Sequence, residues 1–357
     1  MTSADPEILF ERRGTAGLVT LNRPKALNAV TFGMVRALAL QLADWANDPA
    51  VTRVVISAAG DRAFSAGGDI RALTDLGKAG RHAEALTFWR EEYALNTAIK
   101  HYPKPYVSLI DGIVMGGGVG ISVHGSHRVA GDKFLFAMPE VSIGFFPDVG
   151  ATWFLPRLPG EIGTYLALTG ERLKAADAVA ATIATHRIAS ARFADLRAAL
   201  CGGASVDALL AAFAEPTGVA PLLARRAAID GLFAADRVED VLAALDREAG
   251  AGGPDADFAA GTAATMRTKS PTSLKLALAQ MRAGKSLPFD GCMNTEFRIV
   301  SRIIRGHDFY EGVRAVIVDK DNAPRWQPST LAEVTQADVE AHFAPLGFDE
   351  LRLPEHP

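Results

Sequence analysis

The sequence predicts an α/β protein in which a mostly parallel sheet is followed by a helical C-terminal region. Strand and helix patterns alternate up to about Leu173, and beyond it strands become scarce while alanine-rich helical segments run to about Arg305. With 357 residues, the chain is long for one compact domain. We therefore expect an α/β core that holds the active site over residues 1–173, with a mostly helical region over 174–357 packed on it.

The first half shows the alternation most clearly. A helix from about Thr31, a suitable N-cap, is indicated by four apolar residues at helical spacing: Met34, Leu38, Leu42 and Trp45. Other helices are predicted at Asp69–Leu76, Ala83–Lys100 and Val119–Gly125. Strands are predicted where β-branched and aromatic residues cluster: Ile8–Arg12, Gly17–Leu21, Val51–Ser57, Tyr106–Ile110, His127–Ala130 and Phe134–Ala137.

The second half is helical in pattern. Its last strong helix carries an apolar stripe formed by Met293, Phe297, Val300 and Ile304. The glycine-rich stretch Gly250–Pro254 is the best linker candidate, and we expect it to join two helices rather than two domains.

Composition excludes several classes of function. The net charge of −4 argues against a nucleic-acid binder, and no apolar run is long enough to span a membrane. Two distant cysteines predict neither a disulfide framework nor a zinc site. Met1–Arg13 contains three acidic residues and no apolar core, so it resembles neither a secretory signal nor a transit peptide, and a cytoplasmic location is expected. Phosphate-loop, dinucleotide and serine-hydrolase motifs are also missing.

Two glycine-rich turns are the first candidates for chemistry, at Ala66-Gly67-Gly68-Asp69 and Gly116-Gly117-Gly118. Each follows a strand and opens a helix, where main-chain N–H groups have no partner within the helix. Two such groups that converge on one point would form an oxyanion hole. From the residues alone, two tight turns without a ligand remain the simpler alternative.

Two carboxylates in an apolar segment are the second candidates. Glu140 and Asp148 stand eight residues apart, among Met138, Pro139 and a Phe-Phe-Pro run. Such surroundings raise the pKa of a carboxyl group and suit it to acid–base chemistry. The alternatives are an exposed loop carboxylate for Glu140 and a helix N-cap for Asp148.

Three segments, taken together, carry a family resemblance: Leu21–Ala29, Ala63–Ile70 and Asp111–Gly120. They resemble the coenzyme A entry loop and the two oxyanion segments of the crotonase (enoyl-CoA hydratase/isomerase) superfamily. The resemblance implies a spiral of repeated ββα units followed by C-terminal helices. It also implies that the N–H groups of Gly68 and Gly117 hold a thioester oxygen. The residues it implies for substrate binding are Lys25, Ala26, Leu27, Ala66, Asp69 and Ile70.

Further motifs extend this resemblance from about Leu18 to about Gly347: Phe88–Tyr93, Met115–Gly120, Phe136–Glu140, Gly144–Gly150, Phe154–Leu158, Leu168–Gly170, Ser270–Lys275, Arg305–Phe309 and Glu311–Ala315. They are similar to one branch of the superfamily, the 3-hydroxyisobutyryl-CoA hydrolases of valine breakdown. Hydratases use two glutamates; here Gly120 replaces the first, Glu140 matches the second, and Asp148 stands where hydratases carry glycine. The branch also implies that Glu92 lines the acyl pocket.

The resemblance therefore implies an acyl-CoA thioester hydrolase with Glu140 and Asp148 as catalytic residues. Coenzyme A enters as part of the substrate, and neither a cofactor nor a metal is implied. Two alternatives stay open, an enoyl-CoA hydratase or isomerase and a non-catalytic acyl-CoA binding protein. Many superfamily members are trimers or hexamers, so a homo-oligomer is one expectation, and neither nucleic acid nor membrane is expected as a partner.

Overall fold

The strands of the protein form two sheets. A computed structural model describes residues 6–353, and the following account refers to those residues. The ten strands are β1 Ile8–Arg13, β2 Ala16–Leu21, β3 Arg53–Ala58, β4 Ala63–Ser65, β5 Tyr106–Ile110, β6 Ile113–Met115, β7 His127–Ala130, β8 Leu135–Ala137, β9 Leu173–Lys174 and β10 His186–Arg187.

Helices surround these sheets and dominate the second half. The helices are α1 Phe32–Asn47, α2 Ile70–Lys78, α3 His82–Lys100, α4 Gly117–Gly120, α5 Ala151–Phe154, α6 Ile162–Thr169, α7 Ala175–Ala180, α8 Phe193–Ala199, α9 Val206–Phe213, α10 Pro221–Ala224, α11 Arg226–Leu232, α12 Val238–Ala251, α13 Ala256–Arg267, α14 Pro271–Gly284, α15 Phe289–Ile303, α16 His307–Val313 and α17 Gln336–Phe343. Short 3-10 turns at Pro24–Ala26 and Glu140–Ile143, and a π-helical turn at Arg314–Val318, lie near the site described below.

The larger sheet has the strand order β1-β2-β3-β5-β7-β10, and all its pairs are parallel except β1–β2. The smaller sheet has the order β4-β6-β8-β9, with only β8–β9 antiparallel. The prediction of a mostly parallel sheet is confirmed. Each of the pairs β3–β4, β5–β6 and β7–β8 places its first strand in the larger sheet and its second in the smaller one. This repeat is the ββα spiral that the resemblance implied.

The smaller sheet fixes the position of the two glycine turns. β4 and β6 are parallel neighbours, with Ser65 opposite Val114, and the glycine turns follow directly at their carboxyl ends. Ends of adjacent parallel strands lie side by side, so the two turns meet. The sequence analysis expected a strand before each turn but gave bounds only for Val51–Ser57 and Tyr106–Ile110, and so missed β4 and β6. Three residues are too few for a period-2 pattern to stand out.

Two helix predictions differ in outcome. In α1 the Thr31 hydroxyl accepts a hydrogen bond from the Met34 N–H at 3.2 Å, so the predicted N-cap is confirmed, and the four predicted apolar residues are buried. The predicted helix Val119–Gly125 is wrong in its bounds, since α4 covers Gly117–Gly120 and turns follow. The Ser122 hydroxyl donates to the Gly118 carbonyl at 2.7 Å and so competes with the continued helix.

The C-terminal helices cover the spiral. The buried apolar stripe of α15 packs against α3, and the Gly250–Pro254 stretch joins α12 to α13, as predicted. The division of the chain at residue 173 stays a prediction, since β9 and β10 extend the two sheets at and beyond that residue. Among residues 6–353, no helix has both the length and the apolar character needed to cross a lipid bilayer.

Candidate active site

The two glycine turns bring a pair of unpartnered main-chain N–H groups together. Gly67 and Gly116 adopt φ values of 116° and 45°, which residues with a side chain rarely adopt. A Cβ on Gly117 would lie only 3.1 Å from the Gly68 nitrogen, so the two chain segments are in close approach. Within the described chain neither the Gly68 nor the Gly117 N–H donates a hydrogen bond. These two N–H groups have the donor arrangement of an oxyanion hole, and we call them the oxyanion pair.

A cavity of about 330 Å³ opens next to this pair. Its walls come from the glycine turns, from α3, from the Glu140 turn and from the π-helical turn, where Val316 and Ile317 lie. The predicted site residues that line it are Ala66, Gly68, Asp69, Ile70, Glu92, Gly117, Glu140 and Asp148. The structure therefore brings together residues that are far apart in the sequence.

Three predicted substrate-binding residues do not line the cavity: Lys25, Ala26 and Leu27. Lys25 and Ala26 are exposed in the Pro24–Ala26 turn. Leu27 has a positive φ of 51°, and its carbonyl accepts a hydrogen bond from the Ala66 N–H at 3.0 Å. The turn is thus tied to the first oxyanion segment and lies at the surface beside it, while its contact with coenzyme A stays a prediction.

Glu140 is buried and faces the oxyanion pair. It is only 6% exposed, and a Cβ on Gly116 would lie 3.3 Å from its Oε1 atom. Its Oε2 atom has no hydrogen-bond partner in the described structure. Burial, with the nearby Asp148 carboxylate adding to it, raises the pKa of Glu140 well above its usual range. The alternative of an exposed loop carboxylate is therefore wrong.

Asp148 lies in the same cavity and is held by a tyrosine. The Tyr93 hydroxyl donates a hydrogen bond of 2.9 Å to Asp148 Oδ2, and both residues are buried. Burial raises the pKa of Asp148 to about 7, against the lowering effect of the Tyr93 bond. The alternative of a helix cap is wrong, because Gly150 takes the N-cap position of α5 and, among the described residues, the first N–H groups of this helix do not donate to the Asp148 carboxylate.

Glu92 is the third carboxyl group in the cavity. It lies on α3, is 2% exposed, and its Oε1 atom has no hydrogen-bond partner in the part of the chain described. A Cβ on Gly117 would lie 2.6 Å from that oxygen, so the Glu92 carboxyl group lies against the oxyanion pair. Burial, together with repulsion from Asp148, raises its pKa well above the usual range. An unpartnered polar atom at this position is suited to bind a hydroxyl group of a ligand.

Sequence analysis missed a fourth buried carboxyl group, Glu296 on α15. It accepts hydrogen bonds from the Gly150 N–H at 2.8 Å and the Thr152 N–H at 2.9 Å, and so anchors the start of α5 just after Asp148. Burial raises its pKa to about 8. One signal in the sequence could have revealed it, since Glu296 interrupts the apolar stripe three residues after Met293.

Tyr93 and Asn96, also missed, stand on the face of α3 that carries Glu92. Asn96 is fully buried and neither of its side-chain polar atoms has a hydrogen-bond partner among residues 6–353. A Cβ on Gly120 would lie 2.8 Å from Asn96 Nδ2 and 2.8 Å from the Val149 Cβ. Position 120 therefore has no room for a side chain, and a glutamate cannot be placed there without rearrangement.

The arrangement supports attack on a carbonyl group. Two N–H donors converge at one wall, and a desolvated carboxyl group stands beside them. A carboxylate stripped of water is a stronger base and nucleophile than a solvated one. A second carboxyl group with a pKa of about 7 can give or take a proton near neutral pH.

Comparison with curated proteins yields relatives over nearly the whole chain. The protein of Xenopus tropicalis named "3-hydroxyisobutyryl-CoA hydrolase, mitochondrial" is 46% identical, over 99% of this chain and 92% of its own length. The human protein of the same name is 44% identical with the same coverage.

Two solved structures are also similar over nearly their full length. One is titled as a carnitinyl-CoA dehydratase from Mycobacterium thermoresistibile, with a TM-score of 0.91 and 43% identity, covering 98% of this chain and 99% of that one. The other is titled as an enoyl-CoA hydratase from Rhodobacter sphaeroides, with a TM-score of 0.90 and 39% identity, covering 98% of this chain and all of that one.

The relatives correct the expected location. The cytoplasm was predicted because Met1–Arg13 lacks a targeting pattern, but the curated relatives are named as mitochondrial proteins. The cytoplasmic prediction is therefore wrong. It rested on an absence in the sequence, and the lack of a recognisable leader is not positive evidence for a compartment.

The matches that extend over nearly the whole chain identify its family. The sequence profile described as enoyl-CoA hydratase/isomerase matches residues 16–343. Relatives more than 40% identical cover nearly the whole chain, and the two-sheet spiral superposes on solved structures at TM-scores of about 0.9. This chain belongs to the enoyl-CoA hydratase/isomerase family.

Proposed function

We propose that this chain hydrolyses 3-hydroxyisobutyryl-CoA to 3-hydroxyisobutyrate and free coenzyme A. Relatives named for that hydrolase share 42–46% identity with it over nearly its whole length. The structural observation that supports the proposal most strongly is the set of carboxyl groups beside the oxyanion pair. Glu140 and Asp148 line the cavity, whereas Gly120 is packed too closely to be replaced by the further glutamate of a hydratase.

In this proposal, the thioester oxygen accepts hydrogen bonds from the N–H groups of Gly68 and Gly117. Both donors are free and already in place, so they stabilise the negative charge that develops on that oxygen without reorganising. By analogy with other oxyanion holes, each donor lowers the barrier by roughly 3–4 kcal/mol.

Glu140 then acts in one of two ways. As a general base it takes a proton from water, whose oxygen bonds to the carbonyl carbon while the carbon–sulfur bond breaks. As a nucleophile it bonds to that carbon itself, expels the coenzyme A thiolate and leaves a mixed anhydride, which water cleaves to the free acid. In both cases the thiolate takes up one proton, and water supplies the new oxygen atom.

Asp148 and Glu92 are assigned supporting roles. With a pKa of about 7, Asp148 can hold the attacking water or pass a proton to the departing thiolate. Glu92 is assigned to the 3-hydroxyl group of the acyl chain, since it lines the cavity and its Oε1 atom is unpartnered in the described structure. The Lys25 turn is assigned to the phosphates of coenzyme A, since Lys25 is exposed and Leu27 of the same segment is bonded to Ala66, which lines the cavity.

A second candidate is an enoyl-CoA hydratase or dehydratase, favoured by the titles of the two solved structures described above. The packing around Gly120 opposes it, because a hydratase adds water with two glutamates. The third candidate is a non-catalytic acyl-CoA binding protein. The burial of both Glu140 and Asp148 argues against it, because burying carboxyl groups costs stability without a gain in packing.

One assay separates the three. The purified protein is incubated with 3-hydroxyisobutyryl-CoA and a thiol reagent, and in parallel with an enoyl-CoA whose absorbance is followed. We expect release of free thiol in the first reaction and no change of enoyl absorbance in the second. Loss of absorbance without thiol release would identify a hydratase, and neither signal would identify a binder. Assembly into a homo-oligomer stays a prediction, which light scattering on the purified protein tests.

A further inference from the structure

A second cavity, of about 390 Å³, lies at the C-terminal end of α3. It shares no lining residue with the cavity described above. Its walls carry four cationic side chains, and none of the described residues that line it is acidic: the cations are Lys100, Lys104, Arg128 and Arg157. We call it the cationic cavity.

These four charges have no ionic partner. In the part of the chain that the structure describes, none of them forms a salt bridge. Arg128 and Arg157 are instead fixed by main-chain carbonyls, three for each guanidinium, which leaves further N–H donors of both groups unused. Lys104 likewise binds two carbonyls. Carbonyls hold the cations in place but do not neutralise them.

Lys100 is the group that is free to bind. Its ammonium lies 3.7 Å from the centre of the Trp153 ring and donates no hydrogen bond to any described residue. Burial lowers the pKa of Lys100, and the charges of Arg128 and Arg157 lower it further. Lys100, Lys104 and Arg128 are half-buried, whereas Arg157 is exposed. Half-buried cations that repel one another destabilise a fold unless an anion compensates them.

We propose that the cationic cavity binds a small organic anion, with its acidic group between Lys100 and Arg157, which both lie over the Trp153 ring, and its apolar part against the apolar wall of the cavity. The remaining wall supports an apolar part, since Ile99, Phe154 and Leu158 belong to it. In a chain with a net charge of −4, this concentration of uncompensated positive charge also attracts anions from a distance. The inference does not depend on the proposed hydrolase activity.

The cavity has one link to the candidate active site. Its wall includes His124, whose Nε2–H group donates to the Val149 carbonyl at 2.6 Å, and Val149 follows Asp148. The cationic cavity nevertheless shares no lining residue with the cavity beside the oxyanion pair, so we expect that coenzyme A does not compete for it.

The test uses phenyl phosphate as the probe, titrated into the full chain by calorimetry in a buffer free of phosphate. We expect saturable binding of one equivalent, with inorganic phosphate weaker and phenol not detectably bound. Lys100→Met keeps the aliphatic stem over Trp153 but removes the charge, and it should weaken binding at least about tenfold, or about 1.4 kcal/mol. Lys100→Arg keeps the charge and should preserve binding. Lys174→Met, at an exposed lysine of β9, is the matched control and should bind as the unmodified chain does.

The repeat of the titration at saturating coenzyme A decides whether the site is separate. Unchanged binding of phenyl phosphate supports the proposal. Displacement by coenzyme A would overturn it, as would a failure to saturate or equal binding by the Lys100→Met and Lys174→Met variants. Circular dichroism of each variant excludes misfolding as the cause of a loss.

Discussion

The Tyr93 hydroxyl and the Asp148 carboxylate form a buried hydrogen bond of 2.9 Å between α3 and the segment that precedes α5. It stabilises the ionised form of Asp148, because it lowers the pKa that burial raises. Tyr93 adjoins Glu92 in the sequence. One turn of α3 therefore lines the cavity beside the oxyanion pair and also orients Asp148.

Replacement of Tyr93 by phenylalanine should therefore impair turnover. We expect Tyr93→Phe to lower kcat about tenfold with little change in KM, because Asp148 loses its orientation and its pKa rises further above 7. Tyr106→Phe removes a comparable buried bond, of 2.9 Å to the Ile121 carbonyl, and serves as the control. Both variants should lose about 1 kcal/mol of stability, but only the first should lose activity. Equal activities would show that Tyr93 has a structural role only.

The charge of Asp148 should be visible in the pH profile. Repulsion from Asp148 contributes to the raised pKa of Glu140. Asp148→Asn removes that repulsion, so we expect the pKa of Glu140 to fall and the acidic limb of kcat/KM to move to lower pH, with the maximum reduced more than about tenfold. The measurement is the rate of thiol release from pH 4.5 to 9. An acidic limb that stays in place would contradict electrostatic coupling between the two groups.

The close approach at Gly117 leads to a third prediction. A Cβ there would lie 2.6 Å from Glu92 Oε1, so Gly117→Ala forces Glu92 or the N–H donor out of position. We expect turnover to fall at least about tenfold, a loss of about 1.4 kcal/mol of transition-state stabilisation. Gly261→Ala on α13 is the control, since nothing lies within 4 Å of the added carbon. That variant should keep full activity and gain up to about 1 kcal/mol of stability. Normal turnover by folded Gly117→Ala would exclude this oxyanion hole.

The sequence determined the local parts of this site, and the fold supplied the rest. The glycine turns, Glu140 and Asp148 could be named as candidates because each stands in a short segment with its own signal, and the family resemblance was needed to assign them to one site. Glu296 could not be placed, because its partner Gly150 is 146 residues away and only the packing of α15 on the core joins them. The same limit applies to the strands β4 and β6, whose pairing aligns the turns but whose three residues carry no periodic pattern.

The cluster of buried carboxyl groups should make the protein less stable as the pH rises. Glu92, Glu140, Asp148 and Glu296 all have pKa values raised in the folded state. Above about pH 4.5 the unfolded chain releases these protons while the folded chain retains them, so the free energy of unfolding falls with pH. The fall should extend through the folded pKa values of about 7 for Asp148 and about 8 for Glu296.

A variant pair isolates this effect. Glu92→Gln removes one ionisable group from the cluster, and we expect its melting temperature to fall less between pH 5 and pH 8 than that of the unmodified protein. Glu91→Gln changes the neighbouring residue, which pairs with Arg36 outside the cavity, and should leave the pH dependence as it is. Parallel melting curves for all three proteins would count against the raised pKa of Glu92.

The last prediction separates the two roles proposed for Glu140. Glu140→Gln keeps the shape and removes the charge, so thiol release should fall at least about 100-fold under either mechanism. The native enzyme then catalyses many turnovers in water enriched in oxygen-18. It is digested, and the mass of the peptide that contains Glu140 is measured. A mixed anhydride cleaved at the glutamyl carbonyl leaves heavy oxygen in that peptide, whereas water activated by Glu140 labels the product alone.

We expect a labelled peptide, because a carboxylate that faces the oxyanion pair closely enough to polarise water over the carbonyl is close enough to attack it. Water could instead attack the substrate carbonyl of the anhydride, and the peptide would then contain no oxygen-18. Hydroxylamine is therefore used in parallel to trap any acyl-enzyme. Glu140→Gln treated in the same way is the control and should show neither label nor trapped adduct. An unlabelled peptide together with no trapped adduct in the native enzyme would exclude the covalent route and leave Glu140 as a general base.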